Sequence, residues 1–124
     1  MRVIIAGGRD IEEYQYVLDA VTNSDFEIST IISGGARGVD TLGERYAKES
    51  KIPLEIYEAD WKKYGRAAGP IRNEQMAEVA DALIAIWDGK STGTMNMIDQ
   101  APTKGLHVYI EFVGDMYQDL ELDC

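Results

Sequence analysis

Short apolar runs alternate along the chain with stretches whose apolar residues recur every three or four positions. Residues 2–6 and 82–87 are continuously apolar and rich in Val, Ile, Leu and Ala. A run without alternation indicates a strand buried on both faces, as in a parallel sheet. Residues 27–33, 52–57 and 106–111 are the other three predicted strands, and Pro53 marks the third in chain order as an edge strand because proline cannot donate to a ladder. Between them the period is helical. Tyr14, Val17, Leu18 and Val21 fall on one helix face, with Asp10 placed to cap it and a break at Thr22-Asn23-Ser24-Asp25. Val39, Leu42 and Tyr46 form a second face with Ala47 beside it. A third helix opens at Gly69-Pro70 and runs to about Val79, with proline in its preferred first turn. A fourth holds Met95, Met97 and Ile98 and ends between Pro102 and Gly105. Residues 58–66 are predicted as a polar loop. The strand–helix alternation predicts an α/β protein: a Rossmann-like, open, mostly parallel five-stranded sheet with helices on both faces and right-handed crossovers. Residues 1–111 form one domain in this reading, and 112–124 an acidic tail, either a short helix or a loosely held end.

Three of the strands exit into glycine-bearing turns. They are Gly7-Gly8-Arg9-Asp10, then Ser33-Gly34-Gly35-Ala36-Arg37-Gly38-Val39-Asp40, then Asp88-Gly89-Lys90-Ser91-Thr92-Gly93-Thr94. Glycine lets backbone approach a ligand closely, and a helix N-terminus offers unpaired N–H groups to an anion. In open α/β sheets ligands bind at the carboxyl ends of the strands, where strand order reverses. The turns are therefore expected to converge on one crevice suited to a phosphate. A tight strand-to-helix turn can also need glycine for sterics alone.

Charge limits the partners. With 12 Lys and Arg against 22 Asp and Glu the formal net charge is −10, which opposes binding of extended nucleic acid but not of one small anion. No apolar run reaches the length of a bilayer span, so no membrane partner is expected, and the cytoplasm is the expected compartment. The single Cys124 excludes an intramolecular disulfide framework, and no cluster of His, Cys, Asp and Glu has metal-ligand spacing, so neither metal nor cofactor is expected.

The residues Ser33-Gly34-Gly35-Ala36-Arg37-Gly38-Val39-Asp40 resemble the S-G-G-A-x-G-[IV]-D signature of the SLOG superfamily, which joins the DNA-processing protein A domain to the lonely-guy phosphoribohydrolases. Gly7-Gly8-Arg9-Asp10, the stretch from Asp60-Trp61 to Gly69-Pro70-Ile71-Arg72-Asn73, and Asp88 to Thr94 extend the likeness in order over residues 1 to about 110. Together they most resemble the small single-domain YspA/YpsA-related branch of bacteria and phages. The resemblance implies a Rossmann-like sheet and a nucleotide or nucleotide-derived ligand, but no reaction. The lonely-guy enzymes carry R-K-x-x-M and P-G-G-x-G-T-x-x-E. Arg72 and Met76 match the first element and Gly93-Thr94 part of the second, but Met97 stands where the catalytic Glu is expected. Methionine moves no proton, and glycoside chemistry normally needs placed carboxylates. An N-glycosidase or phosphoribohydrolase activity would need Glu74, Asp40 or Asp88 as a substitute. The leading expectation is a binding module, a sensor or sequestering protein, ahead of that enzyme and of single-stranded DNA binding.

The expected ligand residues are Gly7, Gly8 and Arg9; Ser33, Gly34, Gly35, Arg37, Gly38 and Asp40; Arg72 and Asn73; and Lys90, Ser91, Gly93 and Thr94. Arg72 and Arg37 are read as anion ligands whose removal spares the fold. Asp40 is read as a helix cap or a contact to a ribose hydroxyl, and Thr94 as a hydroxyl donor that also caps. Trp61 is read as a loop anchor buried on the sheet edge, with base stacking as its alternative, and Tyr64 is left open. His107, alone in a strand, is read as packed or hydrogen-bonded. A homodimer or higher homo-oligomer is expected, with Met76, Met95 and Met97 furnishing an apolar contact.

Overall fold

The computed structural model describes residues 1–113. Its elements in order are β1 (Arg2–Gly7), α1 (Tyr14–Ser24), β2 (Thr30–Ser33), α2 (Val39–Glu49), β3 (Leu54–Ile56), α3 (Trp61–Tyr64), α4 (Ala68–Val79), β4 (Ala82–Trp87), α5 (Thr92–Thr103) and β5 (His107–Phe112). All strand pairs are parallel, in the order β3-β2-β1-β4-β5. The chain builds outward from β1 to β3 on one side, then crosses back to place β4 on the other. Strand order therefore reverses between β1 and β4.

Side chains alternate across the sheet, and each face buries a separate core. Val3 and Ile5 of β1, Ile31 of β2 and Ile84 and Ile86 of β4 meet Val17 and Ala20 of α1 and Val39 and Ala47 of α2. Ile4 of β1, Ile32 of β2 and Leu83 and Ala85 of β4 meet Met76 and Ala77 of α4 and Met97 and Ala101 of α5. The expected five-stranded α/β sheet with helices on both faces is what forms, and β3 is an edge strand as Pro53 predicts.

Several local expectations are overturned. Asp10 does not cap α1: the N-cap is Glu13, without a side-chain cap bond, and Asp10 stands out in solvent. Ala20, rather than Leu18, joins Val17 as a buried residue of that helix. The second strand is shorter than residues 27–33: it begins at Thr30, and Ser29 ahead of it donates its N–H to the Met1 carbonyl at 2.8 Å. Residues 58–66 are not all loop. Asp60 accepts from Lys63 N–H at 3.1 Å and caps α3, and a 3-10 turn, Gly65–Ala67, leads into α4. Met76 and Met97 lie in the core, leaving Met95 as the exposed member of the expected apolar contact. His107 is exposed, at the amino end of β5. The core also takes in Val113, whose N–H donates to the Trp87 carbonyl at 2.9 Å, two positions beyond the predicted domain end. Cys124 and the rest of the predicted tail beyond Val113 lie outside the described residues. No helix among the described residues is long and apolar enough to cross a membrane.

Candidate functional site

The three glycine turns meet. A cleft of about 830 Å3 opens at the carboxyl ends of β1 and β4, where strand order reverses. Gly7, Gly8 and Arg9 line it from the first turn and Arg37 and Asp40 from the second. Arg72 and Asn73 enter from α4, and Asp88, Lys90, Ser91, Gly93 and Thr94 from the third turn. Four expected residues do not line it. Gly34 and Gly35 border a smaller adjoining hollow. Ser33 is buried beneath the turn, where its hydroxyl bonds to Glu44 Oε2 at 2.7 Å and accepts Gly35 N–H at 3.1 Å. Gly38 packs against the Gly8 and Arg9 backbone. Glu74, a substitute carboxylate in the glycosidase reading, is on another surface near Lys104 at 3.9 Å, so it does not serve this cleft.

A polar relay ties the second and third turns together through α4. The Arg72 guanidinium donates from Nη1 to the Gly34 carbonyl and from Nε to Asn73 Oδ1 at 3.0 Å. Asn73 Nδ2 donates onward to the Gly93 carbonyl at 3.3 Å and to Asn96 Oδ1 at 3.0 Å. Gln100 Nε2 closes the chain on Asn96 Oδ1 at 2.8 Å. Arg72 and Asn73 are both buried. A buried polar group must be paired, so these bonds fix the relative placement of the two turns. This burial and bonding argue against the expectation that losing Arg72 spares the fold. Arg72 Nη2 forms no hydrogen bond among the described residues, and it is the donor left for the cleft.

The two helix N-termini at the cleft differ. At α2 the first N–H, Val39, is taken by the Gly8 carbonyl at 3.2 Å. The protein's own Asp40 carboxylate occupies the first turn, accepting Ala36 N–H at 3.1 Å from Oδ2, so Asp40 ties down the preceding turn rather than capping α2. At α5, Asp88 Oδ1 accepts Lys90 and Ser91 N–H, each at 2.8 Å, and curls the loop. These bonds, Ser91 first, hold the Asp88 carboxyl below the usual carboxylate range. Ser91 is the N-cap without a side-chain cap bond, and its Oγ pairs with Thr94 Oγ1 at 3.1 Å. The N–H groups of Thr92, Gly93 and Thr94 donate to no acceptor among the described residues. They open on the cleft with the positive end of the α5 dipole behind them.

Five of the chain's 12 Lys and Arg line the cleft: Arg9, Arg37, Arg66, Arg72 and Lys90. Asp10, Asp40 and Asp88 oppose them, Asp10 holding Arg37 at 3.4 Å on the surface. An acidic chain has thus gathered cations at one concave place. Sequence reading missed Arg66, Thr92 and Asn96 as lining residues: Arg66 and Thr92 lie within the matched stretches but are not among the residues that carry the match, and no motif or periodicity marks Asn96. It also buried Trp61, which is 49% exposed in the cleft wall with the Arg9 guanidinium 5.6 Å from its ring centroid. Among the described residues no group of three or more His, Cys, Asp and Glu could hold a metal ion.

Asp40 is the one cleft carboxylate pushed toward neutrality. Burial raises it from 3.8 to about 6, against the Ala36 N–H and the Arg72 and Arg9 charges, which favour ionisation. A folded-state value above the unfolded one means that folding favours the proton, so stability falls as pH rises from about 4 to about 6 and stays lower above that. The loss amounts to about 3 kcal/mol. Asp40→Asn removes it. In urea unfolding the variant should gain on the wild type steadily between pH 4 and 6, and the gap should then stay constant to pH 8. A gap independent of pH would show that Asp40 is not buried as an acid.

The sequence profile of the YspA, cpYpsA-related SLOG family matches residues 1–64. The Gene 61 protein of Mycobacterium phage D29 is 32% identical over 117 residues, covering 86% of this chain and 93% of that protein. The X-ray structure of DNA processing protein A from Streptococcus pneumoniae superposes with a TM-score of 0.73 at 18% identity, covering 97% of this chain. This chain spans about half of that one, 53%, and at such identity the likeness is one of fold.

Proposed function

The chain belongs to the YspA, cpYpsA-related SLOG family, and on that premise we propose that its cleft binds a nucleotide or nucleotide-derived phosphate ligand, as a sensor or sequestering module. The observation that carries this is the open N-terminus of α5: N–H groups of Thr92, Gly93 and Thr94 without an acceptor among the described residues, at a cleft walled by Arg9, Arg37, Arg72 and Lys90. A phosphate there takes backbone donors, hydroxyls from Ser91 and Thr94, and cations from two other turns. The streptococcal neighbour is named for DNA processing. In this chain the cations gather in a cleft, at a net charge of −10, and that favours a small anion over an extended strand.

Isothermal titration and thermal shift against AMP, ADP-ribose, cyclic nucleotides and NAD test the reading. A ligand at a hundredfold excess over its Kd stabilises the fold by about 2.7 kcal/mol. Arg37 is exposed and only loosely paired, so Arg37→Ala should leave apo stability within about 0.5 kcal/mol. The same change should weaken binding about tenfold, the loss of one charge-assisted contact. No shift with any nucleotide would reject the reading, and unchanged affinity in Arg37→Ala would remove that side chain from the site.

One observation favours a second reading, an N-glycosidase or phosphoribohydrolase. Asp40 is a cleft carboxylate titrating near 6, where a group can both give and take a proton. Met97, at the position of the lonely-guy carboxylate, is packed in the core and offers none. Concentrated protein incubated with AMP should release adenine in this reading and lose that activity in Asp40→Asn. Release that survives the substitution would point to a contaminant.

A further inference from the structure

Beside the main cleft lies a second hollow of about 220 Å3. It shares Arg9, Ala36, Trp61 and Arg72 with the cleft wall, so the two adjoin. Its remaining border includes Gly35 and Glu58. Gly35 has φ +71, and a Cβ there would meet Glu58 Cγ and Ile56 Cγ2 at 3.1 Å, so glycine keeps this wall clear. Trp61 is half-exposed: the Arg9 guanidinium stands over its ring at 5.6 Å, and the remaining aromatic surface is open. Glu58 is exposed, and its carboxylate forms no hydrogen bond or ion pair among the described residues.

Building on the nucleotide reading above, we propose that this hollow takes the base of the nucleotide, stacked on Trp61, and that Glu58 and Arg9 select guanine. An aromatic plate accepts any base, because every base has a π face. Selection must come from hydrogen bonding. A carboxylate only accepts, and a guanidinium only donates. The base that suits the pair must turn donors to Glu58 and acceptors to Arg9. Guanine alone offers two adjacent N–H donors, N1–H and N2–H, to the two oxygens of one carboxylate. Its O6 and N7 are the acceptors that an arginine fork matches. Adenine offers a single amine, and uracil a single N–H. Hypoxanthine keeps N1–H but lacks the amine, so it measures the second donor by itself. A site made to hydrogen-bond a group discriminates strongly against the analogue without it.

Titration of the full chain with GMP, IMP, AMP and ribose 5-phosphate tests this. GMP should bind at least about tenfold more tightly than AMP, with IMP between them. Glu58→Gln should bring GMP to about the level of IMP and leave ribose 5-phosphate unchanged. Trp61→Ala should weaken all three nucleotides and again spare ribose 5-phosphate. Both side chains are exposed, so neither substitution threatens the fold. AMP binding as tightly as GMP, or a GMP preference that survives Glu58→Gln, overturns the assignment. If ribose 5-phosphate binds and the bases make no difference, the base assignment fails and the phosphate seat stands. If none of the four binds, the nucleotide reading itself fails.

Discussion

Replacing Arg72 with alanine is expected to destabilise the ligand-free protein by about 3–5 kcal/mol. For a chain of this size that lowers Tm by about 10–20 °C. The guanidinium is buried between the second and third turns, bonded to the Gly34 carbonyl and to Asn73 Oδ1. Its loss leaves a buried carbonyl without a partner. It also removes from Asp40 the positive charge that most favours its ionisation. Lysine is a poor substitute, since one ammonium cannot reproduce the planar fork that reaches both acceptors. Thermal unfolding of the apo variants reads the effect directly. A change of less than about 1 kcal/mol for Arg72→Ala would mean that the relay through α4 does not hold the turns together.

The second large effect is expected at Gly38. Its φ of +77° and ψ of −128° belong to a backbone region that only glycine enters readily. A Cβ there would also press on the Gly8 carbonyl and lie 2.6 Å from the Arg9 backbone. Gly38→Ala should therefore cost about 2–4 kcal/mol and push the first and second turns apart. Gly93 is the control. It has ordinary helical φ, and nothing lies within 4 Å of a Cβ built on it. Gly93→Ala should leave stability unchanged or raise it by up to about 1 kcal/mol, since alanine is the better helix former, while placing a methyl at the anion seat. Equal unfolding midpoints for the two variants would show that the glycine at 38 is not a structural requirement.

These two positions illustrate what was legible in the sequence. The strands were, because continuous apolar runs ending in glycine have few other meanings, and the turn that contains Gly38 stands out. Which glycines answer to sterics and which leave room for a ligand was not legible, because the atoms opposite each Cβ come from distant turns. The helix α4 shows a second limit. Its buried positions, Ala68, Gly69, Arg72, Asn73, Met76 and Ala77, recur every four residues, but three are small and two polar. An apolar stripe is therefore missing where the helix is most buried, and Arg72 reads as a surface ligand. The short helix α3 escaped because four residues capped by Asp60 are too few to show a period. Asp10 and Asp40 have the residue type of helix caps, yet one pairs with Arg37 in solvent and the other with the Ala36 N–H. Capping depends on a backbone geometry that composition does not encode.

At 13.8 kDa the protein suits amide-resolved NMR, which locates a bound phosphate directly. Ribose 5-phosphate, AMP and GMP should each be titrated into labelled protein. The prediction is that the amides of Thr92, Gly93 and Thr94 move most, and in the same direction for all three ligands. Shifts at the N-terminus of α2 should be smaller, because Val39 N–H is already bonded and Asp40 fills the first turn. Those three amides staying in place while the ligands saturate another surface would contradict a phosphate seat at the N-terminus of α5.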